Sequence, residues 1–207
     1  MFTWTPLSAN NLLGTISLPM YYTFGFSLNP TGVVSGIANL LHLSAFTTNS
    51  VLLAGASLPS VFFSASSTQM YVDLKGSTFP DVVTPVGSAL PLASVSVVQI
   101  SVLNMTMIVS VTGAITYSQT IAIPYRNALW PLVYLYASDP WNPTANVQAQ
   151  NVFIALASNC VGGMYAPIGQ TSCNSAPIGG YALPGSTTFT LCPAGLIFSC
   201  LSINLYY

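Results

Sequence analysis

Apolar and polar positions alternate along this chain in short runs of period two. Runs of Val, Ile, Tyr, Phe and Thr, bounded by Gly, Pro, Asn and Ser, recur throughout, as half-buried strands separated by turns do. They predict strands at Gly14 to Leu18, Tyr21 to Leu28, Ile37 to Phe46, Ser60 to Ser64 and Gln69 to Leu74, and then at Ala93 to Val102, Met107 to Val111, Ala114 to Ile121, Leu132 to Tyr136 and Val147 to Ala155. Gly36 to Leu43 has helix-like spacing, but Thr47, Thr48, Asn49 and Ser50 close it as a turn closes a strand. Strands at this spacing predict an all-β fold, a two-sheet jelly-roll sandwich.

The texture changes near residue 158. All four cysteines, Cys160, Cys173, Cys192 and Cys200, lie beyond it. The segment repeats at a period of 16 residues, with Cys160, Ala176 and Cys192 in phase, as are Gly163, Gly179 and Gly195. Residues 14–158 therefore read as the sandwich and 159–207 as a small Cys/Gly-rich tail that needs bridges because it has little core of its own. Residues 1–13, with Phe2, Trp4, Leu7, Leu12 and Leu13, read as an extended apolar segment. Such a segment adds a strand to a neighbour's open sheet edge or serves as the first strand of its own sandwich.

Charge changes the picture most. The 207 residues carry five charged side chains, Asp73, Lys75, Asp81, Arg126 and Asp139, and no Glu. About a quarter of the residues of an ordinary domain are charged. A surface so nearly neutral lacks colloidal repulsion and favours association, unless attached glycan supplies the hydration. Mean hydropathy is +0.66, yet the longest apolar region, Val95 to Ile115, is broken by Ser96, Gln99, Ser101, Asn104, Thr106, Ser110, Thr112 and Gly113 and has no Lys or Arg at its flanks. It reads as strands and not as a transmembrane span. No charged start followed by a short apolar run, the mark of a secretory leader, stands at Met1.

Four motifs in order carry a resemblance. The stretch Leu28 to Leu43, ending Leu41-His42-Leu43, is followed by Leu58 to Phe63, Gln69 to Leu74, and Tyr134 to Trp141 with its Ser138-Asp139-Pro140-Trp141 loop. Together they resemble the concanavalin A-like or laminin-G-like domains of extracellular proteins. The tail is similar to the ephrin-receptor-like Cys repeats of secreted proteins, through Cys160-x-x-Gly163-x-Tyr165 and Cys192-Pro-Ala-Gly195, although Ala176 and Phe189 replace cysteines in the middle copy. That resemblance implies bridges Cys160–Cys173 and Cys192–Cys200, while the sequence itself leaves three pairings open. An even count of bridged cysteines implies an oxidising, extracellular setting.

Several chemistries find little support. Glucan hydrolysis needs paired carboxylates, and Asp73 and Asp81 read as turn and surface residues. A serine nucleophile needs a histidine base, and the sole histidine, His42, sits in an apolar strand as a core residue with one nitrogen satisfied. The cysteines lack zinc-ligand spacing, and two cations do not neutralise a nucleic-acid backbone. No cofactor or metal is expected beyond covalently attached glycan.

Three features remain. Asn104-Met105-Thr106 is the one glycosylation sequon without a central proline. In the loop around Asp139, Trp141 and Asn142, Asp139 suits a calcium ion or a sugar hydroxyl and Trp141 a stacking face, with Trp130 and Tyr136 as further aromatic candidates. The alternative has Asp139 capping its own turn and Trp141 packed on the sandwich edge. The third is the apolar segment ending at Leu13. The expected function is a non-catalytic structural subunit of an extracellular, glycosylated, self-assembling filament or coat. The alternative, which the fold resemblance implies, is a lectin-like carbohydrate-binding or adhesion module.

Overall fold

The period-two runs fold into two six-stranded sheets laid face to face as a jelly-roll sandwich. The computed structural model describes residues 4–48, 53–75, 82–103, 105–123, 129–156, 164–165, 174–177, 180–182 and 189–191. In chain order the sandwich strands are β1 (Thr5–Pro6), β2 (Leu12–Leu18), β3 (Tyr22–Pro30), β4 (Ala38–Ser44), β5 (Ser60–Phe63) and β6 (Met70–Leu74). They continue as β7 (Val82–Val86), β8 (Ser96–Leu103), β9 (Thr106–Gly113), β10 (Tyr117–Ala122), β11 (Trp130–Tyr136) and β12 (Val147–Leu156). The first sheet runs β1-β12-β3-β8-β9-β10 and the second β2-β11-β4-β5-β6-β7. Among the described residues there is no helix.

Alternation decides which side chains meet between the sheets. Val98, Ile100 and Val102 of β8 and Met107, Val109 and Val111 of β9 are buried, and so are Val61 and Phe63 of β5 and Met70, Val72 and Leu74 of β6. Each contributes about 1.5–3 kcal/mol relative to exposure. The outward positions of the first sheet are wetted by hydroxyls rather than charges. Thr23 and Ser101 share a hydrogen bond at 2.9 Å, and Ser110 and Ser118 one at 3.2 Å. Cross-strand hydroxyl pairs of this kind support a sheet locally and supply part of the hydration that the missing charges do not.

One strand departs from the sequence expectation. β7 contains Pro85, which demotes an apolar run in a sequence reading, yet β7 is an edge strand, where proline's missing N–H costs no ladder bond. That edge is fastened to the edge of the other sheet. The Tyr117 hydroxyl donates to Val86 O at 3.2 Å, Gln119 Nε2 donates to Pro85 O at 3.3 Å, and Gly87 N donates to Gln119 Oε1 at 3.2 Å. Gly87 has φ +58°, and a Cβ there would lie 2.2 Å from the Tyr117 ring. Glycine is thus required both for the turn and for the ring.

The N-terminal segment is engaged with its own sandwich where it is described. Thr5 and Pro6 pair with Ala149 and Gln148, and Leu7 N donates to Val147 O at 3.1 Å. Trp4 is half-buried, Leu7 packs against the core, and Leu12 and Leu13 open β2 with exposed side chains. Phe2 lies outside the described residues. Beyond Leu156, β13 (Met164–Tyr165) pairs with β14 (Asn174–Ser175) and β15 (Gly180–Tyr181) with β16 (Thr190–Leu191). Tyr165 and Phe189 approach at 5.2 Å between ring centroids. Cys160, Cys173, Cys192 and Cys200 lie outside the described residues, as does Asn104.

Candidate functional site

The outer face of the second sheet carries two cross-strand rows. Register aligns Tyr136, His42, Ser60, Asp73 and Val83 in one row, and Asn39, Phe62, Tyr71 and Pro85 in the next. Because Met70, Val72 and Leu74 point into the core, Tyr71 and Asp73 between them point outward. β4 is nonetheless buried along its whole length, because the loop after β11 folds over its outer side.

Asp139 holds that loop. Its side chain is fully buried and its carboxylate accepts from four donor groups. These are His42 Nδ1 at 2.7 Å, Trp141 N at 2.9 Å, Asn142 N at 2.8 Å and Asn142 Nδ2 at 3.0 Å. Its own N–H donates to Asn39 Oδ1 at 2.9 Å. Burial works against the charge, but the hydrogen bond and charge of His42 and the two bonds from Asn142 outweigh it and hold the carboxyl below its ordinary value. The loop enters through Ser138 at φ +73°, an uncommon conformation for a non-glycine residue, fixed by Ser138 N donating to Leu40 O at 3.0 Å.

Both nitrogens of His42 are engaged, not one. Nε2 donates to Ala56 O at 2.6 Å, and a carbonyl oxygen only accepts. Nδ1 lies 2.7 Å from Asp139 Oδ2, so the second nitrogen is engaged as well. The Trp141 ring packs edge-on against His42 at 5.3 Å and against Tyr136 at 5.8 Å. Tyr136 is itself buried. Trp130 lies over Gly55, where a Cβ would meet its ring at 2.6 Å, and its buried indole N–H has no hydrogen-bond partner among the described residues.

Beside this buttressed loop lies a cleft of about 560 Å³. Phe62, Tyr71 and Val83 give it apolar walls, and Ser64, Asp73 and Asn142 give it polar groups. A smaller depression of about 120 Å³ adjoins it, with His42, Ser57, Lys75 and Trp141 on its walls, and shares Phe62, Asp73 and Asn142 with the cleft. Ser57 Oγ donates to Asp73 Oδ2 at 2.7 Å and fixes the carboxylate between the two depressions. Of the residues singled out from sequence, Asn142 lines the cleft and Trp141 the depression, whereas Asp139 lies beneath them. Phe62, Tyr71 and Asp73 were not singled out as a site. Their signal was present in the alternation of Ser60–Phe63 and Met70–Leu74, which turns them away from the core.

No protein-family model matches the chain, and no curated protein matches it by sequence. Solved structures match it in fold. The enzymatically active domain of tailspike protein 2 from bacteriophage CBA120 does so at TM-score 0.50 and 11% identity, over 75% of this chain and 28% of that one. Trypanosoma rangeli sialidase matches at TM-score 0.47 and 16% identity, over 70% of this chain and 24% of the sialidase. A native heptameric SAP-like pentraxin from Limulus polyphemus matches at TM-score 0.47 and 8% identity, over 74% of each chain. This chain thus spans about a quarter of the sialidase and of the tailspike domain. At these identities the likeness shows the fold alone, a β-sandwich. It also corrects the expectation of a non-catalytic chain: the tailspike domain that shares the fold is described as enzymatically active, so the fold does not set catalysis aside. No helix among the described residues is long and apolar enough to cross a membrane.

Proposed function

We propose that the chain is a carbohydrate-binding sandwich module of the concanavalin A-like sort, which takes an oligosaccharide in the cleft on the outer face of its second sheet. The observation that carries this reading is the pairing of aromatic walls, Phe62 and Tyr71, with the fixed polar groups Asp73 and Asn142 in one open cleft. Sugars present apolar C–H faces and hydroxyl edges, and a site of this composition meets both. Its volume falls within the roughly 300–1,000 Å³ usual for small-molecule sites. The loop that contributes Asn142 is held from below by Asp139 and His42, so the site is formed before ligand arrives, which lowers the ordering cost of binding. The reading concerns recognition, a step that carbohydrate-binding proteins and carbohydrate-active enzymes share. An extracellular setting is supported by the even cysteine count.

A glycan array followed by calorimetry on the folded chain tests the reading. Tyr71→Ala removes one stacking wall and is expected to weaken binding about tenfold, the equivalent of about 1.4 kcal/mol, while thermal unfolding shifts by only a few degrees. Binding to no glycan, or binding unchanged in Tyr71→Ala and Phe62→Ala alike, would overturn it.

A further inference from the structure

We infer that the N-terminal strand exchanges between copies of this chain: residues 4–7 of one copy leave their own sandwich and pair with β12 of a second copy, in the register they hold within a single copy. The fit between the segment and the receiving edge is seen within one chain. Thr5 and Pro6 pair with Ala149 and Gln148, and Leu7 N donates to Val147 O at 3.1 Å. Leu7 packs against the core and Trp4 is half-buried. That hold is brief. On its other side β12 pairs with β3 through eight residues, whereas β1 is two residues long, both of its side chains are exposed, and Pro6 has no N–H to give to the ladder.

The link from β1 to β2 favours such an exchange. Ser8, Ala9 and Asn10 are exposed, and Asn10 stands at φ +57°, a left-handed conformation that strains a residue with a side chain. Leu12 N closes this turn on Asn10 O at 3.2 Å. Past the turn the chain is fixed, because Ala137 N donates to Asn11 O at 2.8 Å and Asn11 N donates to Ser138 O at 3.3 Å. The hinge is thus confined to residues 8–10. Opening a short strained hinge relieves the strain, while the strand contacts of β1 form again between copies. A hollow of about 400 Å³ separates β1 from β2, so the segment has no packed layer to leave on that side. Among the described residues no charged side chain lines the hollow, and two copies meet on this flank without repulsion. The opposite flank does not act in the same way, because Tyr117 and Gln119 fasten β10 to β7.

Isotope mixing tests this. Thr5 and Ala149 face each other in the ladder, so the double variant Thr5→Cys/Ala149→Cys forms a disulfide that joins the N-terminal strand to whichever β12 it occupies. Isotope-labelled and unlabelled copies of this variant are mixed, left to equilibrate, oxidised and digested, and the mass of the linked peptide is measured. In dilute solution the link should carry a single label, and the mixed-label fraction should rise roughly tenfold between micromolar and millimolar chain. Asn10→Gly, which takes the left-handed turn without strain, should lower that fraction about threefold. A linked peptide that stays single-labelled at every concentration overturns the inference. Light scattering on the unmodified chain is a second measure that needs no added cysteine. Its mass should exceed 21.8 kDa at the high concentration, and a mass that stays at that value overturns the inference whether or not the link forms. Removal of Ser8 and Ala9, which leaves too short a tether for the strand to fold back, should give an oligomer even in dilute solution; a monomer there counts against exchange. An oligomer equally abundant in Asn10→Gly and in the unmodified chain forms through another surface, and that result overturns the inference as well.

Discussion

Replacing Asp139 with alanine withdraws the acceptor of four donor groups in one step. It leaves the His42 ring and two loop N–H groups without a carboxylate, in a place where Asp139 itself is fully buried. Breaking a buried charged pair from one side costs about 3–5 kcal/mol, because the remaining partner stays desolvated. For a chain of this size each kcal/mol moves Tm by about 2–4 °C, so the expected fall is about 6–20 °C. Circular dichroism melts, with urea unfolding as the second measure, give the number. The pH dependence provides a sharper check. Asp139 has its carboxyl held below the ordinary 3.8, so the folded state binds fewer protons there than the unfolded chain. Its stabilisation is complete above that ordinary value and is lost as pH falls through the lower folded one. The gap in Tm between wild type and Asp139→Ala that this carboxylate contributes should therefore be complete above pH of about 4 and shrink below it. A loss under about 1 kcal/mol, or a gap that is the same at pH 3 and pH 7, would refute the account of this loop.

Other consequences follow from single contacts. A Cβ at Gly25 would lie 2.4 Å from the Phe153 ring, so Gly25→Ala should cost about 1 kcal/mol in urea unfolding and cost nothing measurable in a Phe153→Ala background. Burial pushes the Tyr117 hydroxyl up to about 12. A spectrophotometric titration should show a late phase to which Tyr136, also pushed up by burial, contributes, and Tyr117→Phe should reduce its amplitude; wild-type stability should also decline as pH rises from 10 towards 12, where the unfolded chain ionises first. Gly87→Ala, at φ +58° against the Tyr117 ring, should destabilise by about 1–3 kcal/mol, read from the same melts.

The sandwich was legible in the sequence because a half-buried strand needs little beyond period two and its turn residues. β8 and β9 could be placed from Val98, Ile100 and Val102 against Val109 and Val111. Strand β7 was not, since Pro85 speaks against a ladder until it is known to stand on an edge. The site was legible only in part. Asp139 and Trp141 drew notice as a loop, but the contact of Asp139 with His42 joins residues 97 positions apart, and no local pattern reports such a pairing. His42 looked like a core residue with one nitrogen satisfied because its second acceptor, Ala56 O, belongs to a connection between strands. Asp73 looked like a surface residue because its role depends on Phe62 and Asn142 arriving beside it from other segments. The absence of Glu argued against one kind of hydrolysis. It did not bear on other reactions, and the non-catalytic expectation had to be given up once an enzymatically active tailspike domain proved to share the fold.

The bonds of Tyr117 and Gln119 across the β7 and β10 edges make the two flanks of the sandwich unequal. On that flank the sheets cannot separate without breaking three hydrogen bonds together. At the opposite flank the described first strand is two residues long, and a hollow of about 400 Å³ lies between it and β2. Thermal breathing will therefore be directional: the layers part from the β1 side and pivot on the fastened one. Amide exchange should enter at Thr5, Leu7 and the neighbouring end of β12 well before it reaches β9 and β10.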